Sequence, residues 1–255
     1  MIGRIPSRPQ AGFSLVELLT ALTIFLVICG AAFSLLTLSM KRYQSDSQVL
    51  TAFQEARFGL DQMVRDINDS GYPPVAQFQL PLPADQSLYA VSPVAWPSGE
   101  GYPNTPCAVG TCTTPSDFDI ILETKVDPLN AAASVQWIRY QLQGKTLYRA
   151  VVDKPSGGGD PDGLTAPQLV PYVQNVMNNT PSSLPGGVAV PIFAYMCDAG
   201  NGPQNCTDPG VTNSTKNIRS VGVTLFVTTT VADMQTGKQR IVELRGRGQR
   251  VNPSS

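Results

Sequence analysis

GFSLVELLTALTIFLVICGAAFSLLTLSM, residues 12–40, runs without a proline into KRYQSDSQVLTAFQEARFGLDQMVRDIND, residues 41–69. The two halves call for different surroundings. Leu18–Met40 is an uncharged run of 23 residues. As a helix at about 1.5 Å per residue it spans about 35 Å, enough for a hydrocarbon core of about 30 Å. Glu17 is the only charge between Arg8 and Lys41. A carboxylate at the centre of a membrane helix costs about 2.5–3.5 kcal/mol, and one held at its lip implies a partner. A secretory signal has a shorter apolar core with a small-residue cleavage site behind it, and a plain anchor leaves Glu17 unexplained.

The second half continues as an amphipathic helix. Val49, Leu50, Phe53, Leu60, Met63, Val64 and Ile67 recur at spacings that make one face. Ser70-Gly71-Tyr72-Pro73-Pro74 stops it. With no proline between Pro9 and Pro73, the pattern predicts one helix from Phe13 to about Asp69, roughly 85 Å long.

The chain has 255 residues and a formal net charge of −1, which argues against a strongly basic nucleic-acid binder. It has no histidine, so the commonest general base and the most frequent zinc ligand are both missing. No nucleophile–base pair, metal set or phosphate loop stands out, and we expect neither an enzyme nor a cofactor. Arg4 and Arg8 favour a cytoplasmic N-terminus. Lys41 and Arg42 oppose that orientation, but the leading charges act first.

Residues 71–255 are long enough for one domain with a core of its own. Nine prolines between 73 and 115 exclude a helix or a central strand there, leaving a long loop with short edge strands. Strand patterns follow at 117–124, 135–142 and 146–152, with Gln143-Gly144-Lys145 as a hairpin turn. Residues 169–177 are ambiguous, and 188–196 carry a strand broken at Pro191. In residues 220–232, Val221, Val223, Leu225, Val227 and Val231 share one face, and Thr236-Gly237 turns into a last strand. A long helix followed by a mostly antiparallel sheet is an α+β architecture.

Cys29 lies in the apolar run. Cys107, Cys112, Cys197 and Cys206 are loop cysteines, which in an exported domain suggest local bridges 107–112 and 197–206, other pairings staying open. They lack the CxxC spacing of a zinc site. Two loops are rich in oxygen ligands that suit calcium: Asp153, Asp160 and Asp162, and Asp198, Asn201, Asn205 and Asp208. Neither matches an EF-hand, and turns use the same residue types. Lys238, Arg240, Arg245, Arg247 and Arg250 read as a solvated strand face rather than a DNA contact.

Gly12, Phe13, Ser14, Leu15 and Glu17 resemble the processing signature of the type IV pilins, a short basic leader ending in Gly before an apolar helix with Glu at its fifth residue. The resemblance implies a leader peptide over 1–12, cleavage between Gly12 and Phe13, and N-methylation of Phe13. It implies a membrane and filament-core helix over 13–40, an amphipathic half over 41–70 and an exported β domain over 71–255. It gives Glu17 an assembly role, pairing with the Phe13 amine of a neighbour. Implied partners are prepilin peptidase, other minor and major pilins, and the bacterial inner membrane, crossed once before assembly into a pilus or pseudopilus, with no nucleic acid. Many major pilins carry a proline in the membrane half; this chain has none, which argues for a minor subunit.

MVRDINDSGYPP, residues 63–74, resembles the helix end of PilW-type minor pilins, with an Arg-Asp pair before Gly-Tyr. The hairpin and two long terminal strands are also like the J-type pseudopilins of type II secretion. A tip adhesin or DNA-uptake subunit is the remaining alternative. Mass spectrometry of the protein from native membranes is expected to show a chain that begins at Phe13 and carries one extra methyl group. An unprocessed Met1 terminus would remove the leader reading.

Overall fold

The computed structural model describes residues 12–72, 92–124 and 134–250, apart from single positions at 157, 185, 199, 201, 231, 234 and 235. One helix, α1 (Leu15–Asp69), runs through Gly30 without a break. It ends where the pattern predicts. The Ser70 hydroxyl donates to the Ile67 carbonyl at 2.6 Å. Gly71 then takes a positive φ of 74°, and its amide donates to the Glu123 carbonyl at 3.0 Å. The Thr124 hydroxyl donates to the Asp69 carbonyl at 3.1 Å. The otherwise orphaned end of the helix is therefore tied to a strand.

Two antiparallel sheets follow. The first contains β1 (Val94–Ala95), β2 (Asp119–Thr124), β3 (Gln136–Gln143), β4 (Thr146–Asp153) and β5 (Val170–Val173), in that spatial order. The second contains β6 (Phe193–Asp198), β7 (Pro203–Asn205), β8 (Ile218–Thr228) and β9 (Ile241–Gln249), in the order β7-β6-β8-β9. A short helix, α2 (Pro161–Thr165), lies between β4 and β5. The long helix packed on antiparallel strands makes the fold α+β, as the sequence indicates. The single sheet anticipated from the strand order is divided in two.

Gln143 pairs with Thr146, leaving Gly144 and Lys145 as a two-residue turn in which Gly144 has φ 58°. That left-handed geometry favours glycine. The ambiguous stretch 169–177 yields the short strand β5. The strand expected over 188–196 starts only after Pro191, because proline cannot donate to a ladder. The expected place of Val231 lies outside the described residues.

A single core joins helix and sheets. Leu60, Met63 and Ile67 of α1 pack with Ile120, Leu122, Ile138 and Tyr140 of the first sheet. The same cluster contains Val221, Val223, Leu225 and Val227 of the second. Among the residues expected on the inner face of α1, Leu50 is instead 61% exposed. The buried stripe near it runs through Ala56 and Gly59, where small size allows the helix to approach the strands.

The helix also lies close against β9. A Cβ on Gly248 would lie 2.4 Å from Ile67 Cγ2 and 3.2 Å from the Val64 carbonyl oxygen. A Cβ on Gly246 would lie 2.9 Å from Val64 Cγ2. Val242, Leu244, Gly246 and Gly248 face the helix, while the alternate residues Ile241, Glu243, Arg245, Arg247 and Gln249 are exposed. Gly248→Ala is expected to destabilise the β domain by about 1–3 kcal/mol through overpacking. Gly222→Ala, whose added methyl meets only ordinary contacts at 3.7 Å and beyond, serves as the near-neutral control. Equal thermal midpoints for the two variants would refute the close seating.

Candidate functional site

The N-terminal end of α1 is the candidate assembly site. Ser14 is the N-cap in extended geometry with φ −70° and ψ 141°, and its side chain makes no capping bond. Its carbonyl accepts from the amides of Glu17 at 3.0 Å and Leu18 at 3.1 Å. Glu17 thus lies in the first turn, where a carboxylate is favoured by the helix dipole. Phe13 is 85% exposed beside it, and Gly12 has no atom near enough to meet an added Cβ. Phe13, the carboxylate of Glu17 and the first turn of α1 are therefore presented at one end of the helix.

From Leu15 to Leu36 the helix is exposed on every side, and it is long and apolar enough to cross a membrane. Its threonine hydroxyls are bonded within the helix. Thr20 donates to the Glu17 carbonyl at 2.9 Å, Thr23 to Leu19 at 2.5 Å and Thr37 to Ser34 at 2.9 Å. These bonds hide the polar atoms that a bilayer or a helix bundle would leave without water.

The β domain presents its other singled-out residues differently. Cys107 is bonded to Cys112 and Cys197 to Cys206. Cys29 is free and exposed in the apolar run. Ligand atoms of Glu100, Cys107 and Cys112 lie within 4.8 Å of one another, but both sulfurs are committed to the disulfide.

The oxygen-rich loops use their side chains as turn formers. Asp198 Oδ1 accepts from the Gly200 amide, and Oδ2 takes Arg219 at 3.1 Å. Asn205 Oδ1 accepts from both the amide and the hydroxyl of Thr207. The Asp208 amide and carbonyl close successive turns with Asn205 and Val211. Asn201 lies outside the described residues. In the other loop Asp160 caps α2, Asp162 pairs with Arg139 at 2.6 Å, and Asp153 accepts from Gln136.

Of the C-terminal cations Lys238, Arg240, Arg245 and Arg247 are exposed, as a solvated face requires, and Arg250 is not. Arg240 pairs with Asp233 and Asp46, Arg245 with Glu243, and Arg247 donates to the Ser220 hydroxyl. Arg250 is buried, donating to the carbonyls of Lys216 and Ile218 at 3.3 Å. Burial, then the nearby charge of Arg219, lowers its pKa to about 10.

Three buried ion pairs went unread in the sequence. Glu123 and Lys154 meet at 3.1 Å with almost no exposure. Glu123 also accepts from Trp137 Nε1 at 2.8 Å and from the Tyr102 hydroxyl. Arg139 grips both oxygens of Asp119 at 3.0 and 2.6 Å. The third pair joins α1 to the first sheet. Asp66 Oδ2 accepts from the Tyr140 hydroxyl at 2.6 Å and from Arg149 at 3.0 Å, while Gln62 donates to Oδ1 at 2.7 Å. Burial, then the Asp66 charge, pushes the Tyr140 hydroxyl far above its ordinary pKa, so it stays a donor. The available signal was the alternation of Asp119, Ile121 and Glu123 with Trp137, Arg139 and Gln141, which places acids and a base on one sheet face.

The prokaryotic N-terminal methylation motif matches residues 7–33, which include the Gly12–Phe13 junction, Glu17 and the first turns of α1. The match supports a type IV pilin-like prepilin, a structural subunit whose long apolar helix fits a membrane anchor; the motif implies contact with other pilins and with prepilin peptidase in general. No curated protein matches the chain.

Asp66→Ala is expected to lower the stability of the β domain by about 3 kcal/mol, because it strands Arg149 and the Tyr140 hydroxyl. Asp66→Asn keeps an acceptor for Tyr140 and should lose less. Denaturant unfolding of the two variants measures the difference, and an unchanged Asp66→Ala midpoint would exclude the clamp.

Proposed function

We propose that the protein is a minor pilin, a structural subunit of the complex that initiates or tips a type IV pilus. The observation that carries this reading is Glu17, held in the first turn of a helix that is otherwise apolar and exposed all round. In a bilayer this acid lies at the leaflet edge. In a bundle of helices it loses water and needs a cation. The N-terminal amine that cleavage after Gly12 exposes on a neighbour's Phe13 is of the right sign and at the right level. Pairing offsets the desolvation penalty and fixes the axial register of one subunit on the next.

Several features favour a minor rather than a bulk subunit. The membrane half contains no proline, so α1 stays unbroken. The exported domain is large and irregular, with two disulfides and two sheets. The Arg65-Asp66 pair before Gly71-Tyr72, the basis of the PilW-type likeness, includes the acid that clamps α1 to the first sheet. The β3–β4 hairpin supports a second reading, a J-type pseudopilin of type II secretion. A neighbouring pilus-assembly ATPase or an outer-membrane secretin operon separates the two.

In this reading the leader covers residues 1–12, the filament-core helix 13–40, its amphipathic half 41–70 and the exported domain 71–255. The exported domain lies in the periplasm or at the cell surface. Deletion is expected to reduce surface pili and twitching motility, and Glu17→Ala to reproduce the loss while the protein still accumulates in the membrane. Normal piliation in the Glu17→Ala strain would sink the proposed role of this acid.

A further inference from the structure

A lysine and a glutamate are sealed together beneath the loops of residues 92–115. Lys154 Nζ lies 3.1 Å from Glu123 Oε2 and 3.3 Å from Oε1. Nearly equal distances to the two oxygens turn the nitrogen toward the carboxyl carbon between them. The separation is that of a near-attack pair, about 3–3.5 Å. Glu123 belongs to β2 and Lys154 directly follows β4, so the pair bridges two strands that flank β3.

The surroundings favour a bond over a lasting ion pair. The side chains of Lys154 and Glu123 keep only 1% and 0% of their exposure. Trp96, Tyr102 and Trp137 form one buried cluster with the Cys107–Cys112 bridge. Lys154 Nζ lies 5.3 and 5.8 Å from the ring centres of Tyr102 and Trp137. Two full charges are costly in such a site even when they are paired, whereas an amide carries none. The Tyr102 hydroxyl connects the two groups: it accepts from Lys154 Nζ at 2.7 Å and donates to Glu123 Oε1. A proton handed along this path turns ammonium and carboxylate into an amine and a carboxylic acid, the pair that condenses. Trp137 Nε1 donates to the same Oε1 at 2.8 Å.

We propose that Lys154 and Glu123 join in an intramolecular isopeptide bond. The nitrogen lone pair attacks Glu123 Cδ, and the C–N bond forms as the carbonyl electrons move onto Oε2. The nitrogen then gives up a proton through Tyr102 to the Oε1 hydroxyl. The carbonyl to Oε2 re-forms, the Cδ–Oε1 bond breaks and one water leaves. Amine and carboxylic acid give amide and water, so no oxidant, cofactor or second protein is consumed. With water excluded, the reverse hydrolysis lacks its reactant. The bond closes a covalent loop from 123 to 154 and links β2 to the end of β4 across β3. Gly71 and Thr124 tie the end of α1 to β2, so the link braces the strand on which the helix ends. It is independent of the role proposed for Glu17.

The test is intact-mass spectrometry of the full chain purified from native membranes, with its disulfides reduced. The protein is expected to be lighter than its processed sequence by one water, about 18 Da. A protease digest is expected to contain one branched species that joins the Glu123 and Lys154 peptides. Lys154→Met, which fills similar space without a nucleophile, should restore the full mass. Tyr102→Phe keeps the ring and removes the relay, and should lower the linked fraction several-fold soon after synthesis; the same fraction as in the parent overturns the route through Tyr102. A parent chain of full mass with unbranched Glu123 and Lys154 peptides overturns the inference. So does a water loss that persists in Lys154→Met. The mass of the parent chain decides alone, so a variant that fails to fold does not obscure the answer.

Discussion

Ile67 of α1 occupies the space left by the missing side chain of Gly248, and the domain is arranged around that contact. β9 is an edge strand, and it carries glycine at two successive inward positions, Gly246 and Gly248. These let the backbone of the strand come close enough for Leu60, Val64 and Ile67 to fill the gap. The seated helix then reaches both sheets, so its inner face is the common wall of one core. Asp66, on the same stretch, adds a polar clamp to Tyr140 and Arg149. A buried carboxylate held by two donors gives a directional anchor where apolar contacts alone permit sliding.

This arrangement explains how one helix serves two solvents. Up to about Leu36 it is exposed all round, and its threonine hydroxyls turn back on the helix's own carbonyls. Past Gln48 one face enters the core while the other stays bare. The helix is continuous through the change of surroundings, so its apolar start and its packed end form one rigid element.

The second face of the first sheet shows a different economy. Loops from residues 92–115 and the segment around α2 cover it, and the groups they cover are charged. Lys154 and Glu123 lie among Trp96, Tyr102 and Trp137, whose rings pack edge to face. Arg139 links Asp119 to Asp162 beside α2. These pairs pin proline-rich loops that have little regular hydrogen bonding of their own. Each is well partnered, as a buried charge must be.

The sequence by itself determined the helix, the lone acid at its start, the apolar run and the alternating strands. All of these are periodic or compositional signals that act over a few residues. Glycine and proline marked the helix end at Ser70-Gly71 and the turn at Gly144 for local steric reasons. Only the tertiary structure decided which side of α1 enters the core, leaving Leu50 outside and Ala56 and Gly59 within. It alone divided the strands into two sheets, buried Arg250, and matched Asp66 with Tyr140 and Arg149 from distant strands. Burial of a charge depends on what covers it, and the covering loops come from far along the chain. An alternation of charged residues reads as a solvated face until that cover is known.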